Sequence, residues 1–234
     1  MTNIVHNIDY RLFLDQNKGF KCDIVLSDIP YGINAGNMPY VKQDGRIKQK
    51  NGRVMVTPKK HYGNEDWDVE VPKQDYYDLM KAISSNQIIF GIEYADWLTE
   101  TNGRLKWNKG VAEGMSFKSY ELAYCSFIDN QDEIDYLWSG MMQGKSHLEP
   151  MVMQGNKKKN EKRIHPTQKP IILYYMILEK YAKPGMVIFD SHVGSGSLRI
   201  ACDIFGCHFV GCEINKNTFD KQEARYTNFK HKLF

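Results

Sequence analysis

Asp28-Ile29-Pro30-Tyr31, at the end of the apolar run Ile24-Val25-Leu26, has residue types suited to holding an exocyclic aromatic amine for methyl transfer. The nitrogen of such an amine is a poor nucleophile, because its lone pair is delocalised into the ring. It becomes reactive when its two hydrogens are held and the geometry at nitrogen changes. The Asp28 carboxylate can accept one hydrogen, and the Ile29 carbonyl can accept the other from a turn that Pro30 stiffens. Tyr31 offers a ring face on which a flipped base can stack. In-line attack on the methyl then relies on positioning and electrostatics, with no metal and no covalent intermediate. The alternative reading is an ordinary strand-to-turn exit, since Asp-x-Pro is a common turn.

A second constellation, Asp190-Ser191-His192-Val193-Gly194-Ser195-Gly196-Ser197, follows a short apolar run that begins at Met186. Gly194 and Gly196 allow close backbone approach to a ligand at the mouth of a strand–helix unit. Glu213 ends the next apolar run, where a carboxylate can take ribose hydroxyls. A dinucleotide site has the same parts, so the turn is not specific by itself, although Arg199 replaces the third glycine of GxGxxG. His192 reads as a contact or packing residue. A third piece, His165-Pro166-Thr167-Gln168-Lys169-Pro170, opens a helix with Ile171, Tyr174, Tyr175 and Leu178 on one face. Pro170 suits its first position. Gly144-Lys145-Ser146 looks like the end of a phosphate loop, but Ser139 stands where that loop needs its first glycine.

Distant pieces of this kind need a sheet to bring them together. Asn3 to Ile8, Cys22 to Ser27, Gln87 to Gly91, Leu105 to Trp107, Glu121 to Phe127, Met186 to Asp190 and Cys207 to Cys212 read as strands. Helices are expected at Gln74 to Ser85, after Pro170, from Leu198 to a stop at Gly206, and from Asn215 to about Phe229. Strand, glycine turn, helix, strand is half of a doubly wound sheet, so the expected class is α/β, mostly parallel and twisted, with helices on both faces. Two polar stretches, 34–72 and 129–163, read as irregular. Loops of that length in a compact domain are usually functional or disordered, and substrate-reading parts are expected there.

With 234 residues the chain suits one α/β domain and is too short for two full ones. A net charge of +3 does not by itself demand a nucleic-acid partner. Five scattered cysteines without a CxxC argue against a disulfide framework and a zinc site, and fit reduced residues of a cytoplasmic protein. No apolar run is long enough to span a membrane, and no signal-peptide pattern is evident.

Together and in this order, these motifs resemble the amino-methylating DNA methyltransferases of the permuted (beta-type) N-4/N-6 group, in which the catalytic motif precedes the cofactor motif. The wording of the glycine turn resembles phage and prophage variants. The family usually carries Asp-Pro-Pro-Tyr for adenine and often Ser-Pro-Pro-Tyr for cytosine, and here Ile29 replaces the first proline but keeps the carbonyl. It usually carries Asp-Pro-Phe-x-Gly-Ser-Gly-Thr at the second motif; Ser191 and His192 depart from it, while Asp190, Gly194, Ser195 and Gly196 match. The closest match is HPTQKP, the methionine-binding segment.

The resemblance implies a Rossmann-like S-adenosylmethionine-dependent fold with a small recognition insert, and methylation of the 6-amino group of adenine in double-stranded DNA. Asp28, Ile29, Pro30 and Tyr31 would handle the base. Asp190 would hold the amino group of the cofactor's methionine, Glu213 the ribose, and Thr167 and Lys169 the methionine carboxylate at a helix N-terminus. Gly194, Ser195 and Gly196 would cradle it, and Asp9 would approach its adenine unless it is a helix cap. Trp107-Asn108-Lys109 and Tyr120 to Tyr124 resemble the paired strands that close the base pocket, with Trp107 either core or pocket.

Lys48, Arg53, Lys59 and Lys60 in the first polar stretch, and Lys157, Lys158, Lys159 and Arg163 in the second, would contact phosphates; a solvated face is the plainer reading of such runs. The second stretch sits where the group keeps its target-recognition region. The implied location is cytoplasmic, bacterial or in the host of a phage, and a homodimer stays open. Cytosine amino-methylation, a dinucleotide-binding oxidoreductase and a non-catalytic DNA-binding relic remain as alternatives.

Overall fold

A computed structural model describes residues 2–34, 45–48, 54–57, 68–96, 103–111, 118–139 and 142–231. Its centre is an eight-stranded sheet in the order β1-β12-β11-β2-β5-β7-β6-β8. The ranges are β1 Asn3–His6, β2 Ile24–Asp28, β5 Gln87–Phe90, β6 Arg104–Asn108, β7 Tyr120–Cys125, β8 Gln131–Asp135, β11 Val187–Asp190 and β12 His208–Cys212. The neighbours β1, β12, β11, β2 and β5 pair in parallel, β7 is antiparallel to β5 and β6, and β8 is parallel to β6. The sheet is mostly parallel, as expected.

Its helices are α1 Tyr10–Gln16, α2 Gln74–Ile83, α3 Ile171–Tyr181, α4 Ser197–Phe205 and α5 Lys216–Lys230. Successive side chains of a strand point to opposite faces, and the core divides accordingly. Leu26, Ile88 and Ile188 join Leu173 and Ile177 of α3 and Leu198 of α4 in one cluster. Val25, Ile89 and Phe189 join Phe13 of α1 and Tyr76 and Met80 of α2 in the other. Strands covered on both faces read as continuous apolar runs, which is why Ile24-Val25-Leu26 and Ile188-Phe189 are visible in the sequence.

The chain leaves β2 toward β5 and leaves β11 toward β12, in opposite directions along the sheet. The β11/β2 pair is therefore a topological switch point, where the carboxyl ends of neighbouring strands open a crevice. Asp28 ends β2 and Asp190 ends β11. Ser191 continues the junction by donating its backbone N–H to Ser27 Oγ at 3.0 Å.

The stretch 129–163, expected to be irregular, begins with a strand of the main sheet. β8 pairs with β6 from Arg104↔Gln131 to Asn108↔Asp135. It is an edge strand in which only Ile134 is buried, so its acidic, polar composition hides it from a search for apolar runs. The two-residue pair β9 Trp138–Ser139 and β10 Met142–Gln143 follows. Within 34–72, β3 Gly45–Lys48 and β4 Val54–Thr57 form an antiparallel pair.

On α3, the buried side is Leu173, Tyr174, Ile177 and Leu178, while Ile171 and Tyr175 of the expected face are only partly covered. The helix lies against α4 as well as the sheet, which rotates its most buried line by one position. Pro170 is the N-cap, one residue before the expected place. All five cysteines are free thiols, four of them buried. Among the described residues no helix is long and apolar enough to cross a membrane.

Candidate active site

A cavity of about 930 Å³ opens at the switch point, with Asp28 and Tyr31 at one end and Gly194 and Glu213 at the other. Pockets for small molecules run from about 300 to 1,000 Å³, so this one has room for more than one small group.

At the first end, Asp28 belongs to a chain of alternating charges. Lys169 Nζ lies 2.5 Å from Asp28 Oδ1 and 2.9 Å from Glu121 Oε2. Lys109 pairs with the other oxygen of Glu121. The Tyr31 hydroxyl lies 2.9 Å from Asp28 Oδ1 and 3.0 Å from Glu121 Oε2, and accepts from Lys169 Nζ at 2.8 Å. Lys169 is buried, with its ammonium 4.7 Å from the centre of the Phe90 ring. Burial raises the Asp28 carboxyl, Lys169 opposes that in part, and Glu121 adds to it. Burial also works against the Glu121 charge, but Lys169 and Lys109 outweigh it and hold that carboxyl at about 2. The asymmetry follows from geometry: both acids share Lys169, and Glu121 alone has Lys109.

The turn that carries Ile29, Pro30 and Tyr31 is pinned from a distance. Asp68, buried in the polar stretch, accepts from the backbone N–H of Tyr31 at 2.5 Å and of Gly32 at 2.9 Å. Tyr31 stacks on Tyr94 with centroids 4.8 Å apart. Ile29 turns its side chain into the core. Trp107 is both core and wall: it is 1% exposed, lines the cavity, and donates its ring N–H to the Tyr136 carbonyl at 3.0 Å.

At the second end, Glu213 receives the backbone N–H of Gly194 at 2.9 Å and of Asn215 at 2.8 Å. Burial nevertheless raises its carboxyl to about 7. Asp190 accepts from the His192 N–H at 3.0 Å, and burial raises it to about 7 as well. Gly194 and Gly196 both have positive φ, 54° and 71°, the conformation that the turn needs and that glycine tolerates. His192, Val193, Gly194 and Ser195 line the cavity here, and the expected Asp190 and Gly196 do not. His192 packs between Tyr10 and Tyr76, and burial holds its ring neutral by lowering it to about 4.

Three of the residues expected at the cofactor have partners within the protein. Lys169 sits among Asp28, Glu121 and Tyr31 and not at the start of α3. The first N–H of α3, on Ile171, is already taken by Glu161 at 2.9 Å. Thr167 lines the cavity while bonding His165 at 3.2 Å. Asp9 caps α1, accepting from the Arg11 N–H at 2.8 Å, which is the cap reading open to it from the sequence, and does not line the cavity.

The basic residues divide. Lys157, Lys158 and Lys159 are exposed on one 3-10 turn, whereas Arg163 lines the cavity with its guanidinium 4.3 Å from the Trp138 ring centre. Lys48 ends β3, and Arg53, Lys59 and Lys60 lie outside the described residues.

Glu121, Lys109, Asp68, Glu161 and Arg225 were not among the expected site residues. Lys109 and Glu121 do lie in the two segments read as closing the base pocket, just after β6 and at the start of β7.

A family model described as DNA methylase matches residues 54–224. Type II methyltransferase M.HpaI from Haemophilus parainfluenzae is 36% identical over 61 residues, 26% of this chain and 19% of the relative. Type II methyltransferase M.HinfI from Haemophilus influenzae is 30% identical over 69 residues, 30% of this chain and again 19% of the relative. The match thus spans only about a fifth of either relative's length. Among solved structures, the M1.HpyAVI–SAM complex superposes with a TM-score of 0.53 at 17% identity, covering 94% of this chain and 98% of that one. The cytosine-N4-specific PvuII DNA methyltransferase gives 0.50 at 10% identity, covering 97% and 86%. Both share its fold. By the family match, which takes in most of its length, this chain belongs to the N-6/N-4 family of DNA methylases.

Proposed function

We propose that the chain methylates the exocyclic 6-amino group of adenine in double-stranded DNA, with S-adenosylmethionine as the methyl donor. The observation that carries this reading is the single cavity that joins Glu213 and the Gly194 turn to Asp28 and Tyr31. Its chemistry suits the donor: a carboxylate for ribose hydroxyls and a glycine turn for close backbone approach. When bound, the donor supplies a methyl group made electrophilic by its sulfonium.

The chain's own residues do the rest. Asp28 accepts one hydrogen of the amine and the Ile29 carbonyl accepts the other, which frees the nitrogen lone pair from the ring. The Tyr31 ring, braced by Tyr94, gives the extruded base a stacking surface. Lys169 holds Asp28 in place, and the proton of the alkylated nitrogen leaves by way of the Asp28 carboxylate. Asp at position 28 supports adenine, because the resembling cytosine enzymes often carry Ser there. Lys157, Lys158 and Lys159 contact phosphates, and the segment from β9 to Arg163 reads the target.

The test is to incubate protein, tritiated S-adenosylmethionine and unmethylated DNA, then digest and identify the modified nucleosides by mass spectrometry, with Asp28→Ala alongside. Label in methyladenosine that disappears in the variant is expected. Label in methylcytidine would overturn the base assignment, and the absence of cofactor binding would overturn the reading as a whole.

A further inference from the structure

The charge chain Asp28–Lys169–Glu121–Lys109 contains more than amine recognition requires. Asp28 alone can accept a hydrogen, yet a buried lysine, a second carboxylate and a second lysine are ordered behind it. Burying charges is costly unless each is paired and well bonded. Here each inner member has two opposite partners, and the series spans four places in the fold: the end of β2, the segment before α3, the start of β7 and the residue just after β6.

We propose that Lys169 is a positioning residue for Asp28 and that Glu121 and Lys109, acting through Lys169, set how readily Asp28 ionises. This rests on the amine-methylating reading of the site. One ammonium is divided between two carboxylates, so its hold on Asp28 depends on how strongly Glu121 competes for it. Lys109 satisfies Glu121 from the other side and releases Lys169 toward Asp28. Among the described residues, the other titratable groups near Asp28 include the Tyr31 hydroxyl, Tyr174 on α3 and Asp190 on β11, while Glu93 reaches Tyr31 and pairs with Lys118 at 3.5 Å. None of these is altered in the variants below.

The arrangement has opposite signs built into it. Glu121→Gln leaves two lysine charges to one acid, so Asp28 ionises more readily and the acid limb of the rate profile moves to lower pH. Lys109→Met leaves Glu121 leaning on Lys169, so the limb moves to higher pH. Each shift is expected to be about one pH unit, the usual size of a single close charge effect. A merely structural role would lower the rate at every pH and leave the limb in place.

The experiment measures single-turnover methyl transfer against pH for the wild type and both variants. In parallel, the Asp28 carboxyl is titrated by 13C NMR in aspartate-labelled protein, with Asp28→Asn assigning the signal. Opposite displacements in the two variants are the expected result. A limb and a carbon signal that stay put, or move the same way in both, would overturn the proposal. If the wild type methylates no DNA, the functional reading fails, but the carboxyl titration still decides whether Glu121 and Lys109 govern Asp28.

Discussion

The Arg225 guanidinium of α5 lies 2.5 Å from the Glu161 carboxylate, which also accepts the Ile171 N–H at the start of α3. Arg225 also donates to the Ser195 carbonyl at 2.6 Å and to Ser197 Oγ at 3.0 Å. One side chain thus ties the glycine turn to the segment that bears Lys157 to Arg163. Both partners are mostly buried, and burial already raises the Glu161 carboxyl while Arg225 restrains it.

Arg225→Met should therefore destabilise the fold by about 3–5 kcal/mol, the usual cost of leaving a buried charge unpaired. The deficit has a pH signature. Without Arg225 the folded carboxyl rises further above its unfolded value, so the folded form gains protons. Its stability is then best near the unfolded value and falls as pH rises through the folded one. Urea denaturation of both proteins at pH 5 and pH 8 checks this, with the larger gap expected at pH 8. A constant gap would mean that Glu161 stays charged without its partner.

Glu213 provides a second linkage. Burial holds its carboxyl at about 7, and ribose hydroxyls donate best to its ionised form. Cofactor binding below that pH should then release about one proton through Glu213, in addition to any from Asp190, which burial also holds at about 7, and Glu213→Gln should remove that share of the release. Calorimetric titrations in buffers of different ionisation enthalpy measure the proton count directly. Buffer-independent heats at pH 6 would exclude Glu213 as the group that ionises.

What the sequence revealed and what it concealed separate along physical lines. β2, β5 and β11 are legible because parallel strands covered on both faces are apolar throughout. The glycine turn is legible because Gly194 and Gly196 adopt positive φ. β8 is not legible, since an edge strand with one buried residue has no apolar pattern to find. Lys169 stands beside a proline at a helix start and reads as part of that helix end, yet its partner Tyr31 is 138 residues away. Glu161 reads as one acid in a basic run, and only the packing of α5 supplies its arginine. Charged groups whose partners come from other elements carry no local signal, and these make up most of what was missed.

Gly91 follows β5 with a φ of 96°, and a Cβ there would stand 2.6 Å from Tyr31 Cε1. The absence of a side chain lets the Tyr31 ring lie against the strand end. Gly91→Ala meets two penalties: left-handed backbone, about 1–2 kcal/mol, and displacement of the ring. Methyl transfer should fall more than stability alone explains, because Tyr31 also bonds Asp28. Tyr31→Phe is the control, since it keeps the ring and removes the hydroxyl. If Gly91→Ala loses stability but transfers at the wild-type rate, the ring does not have to lie where it does.

Lys157, Lys158 and Lys159 give the last test, between a phosphate contact and a solvated face. All three are exposed on the turn capped by Asn156, and they stand on the same segment as Glu161. Each phosphate neutralised by a lysine contributes about 0.9 to the slope of log affinity against log salt. Replacing all three with Gln should flatten that slope by as much as about 2.7, and weaken binding equally for cognate and unrelated duplexes. Fluorescence anisotropy at 50 to 300 mM salt (roughly the range in which such slopes are linear) provides the measurement. An unchanged slope would return the lysines to the solvated-face reading. A loss confined to cognate DNA would instead make them base-reading residues, which lysines at a phosphate boundary are not expected to be.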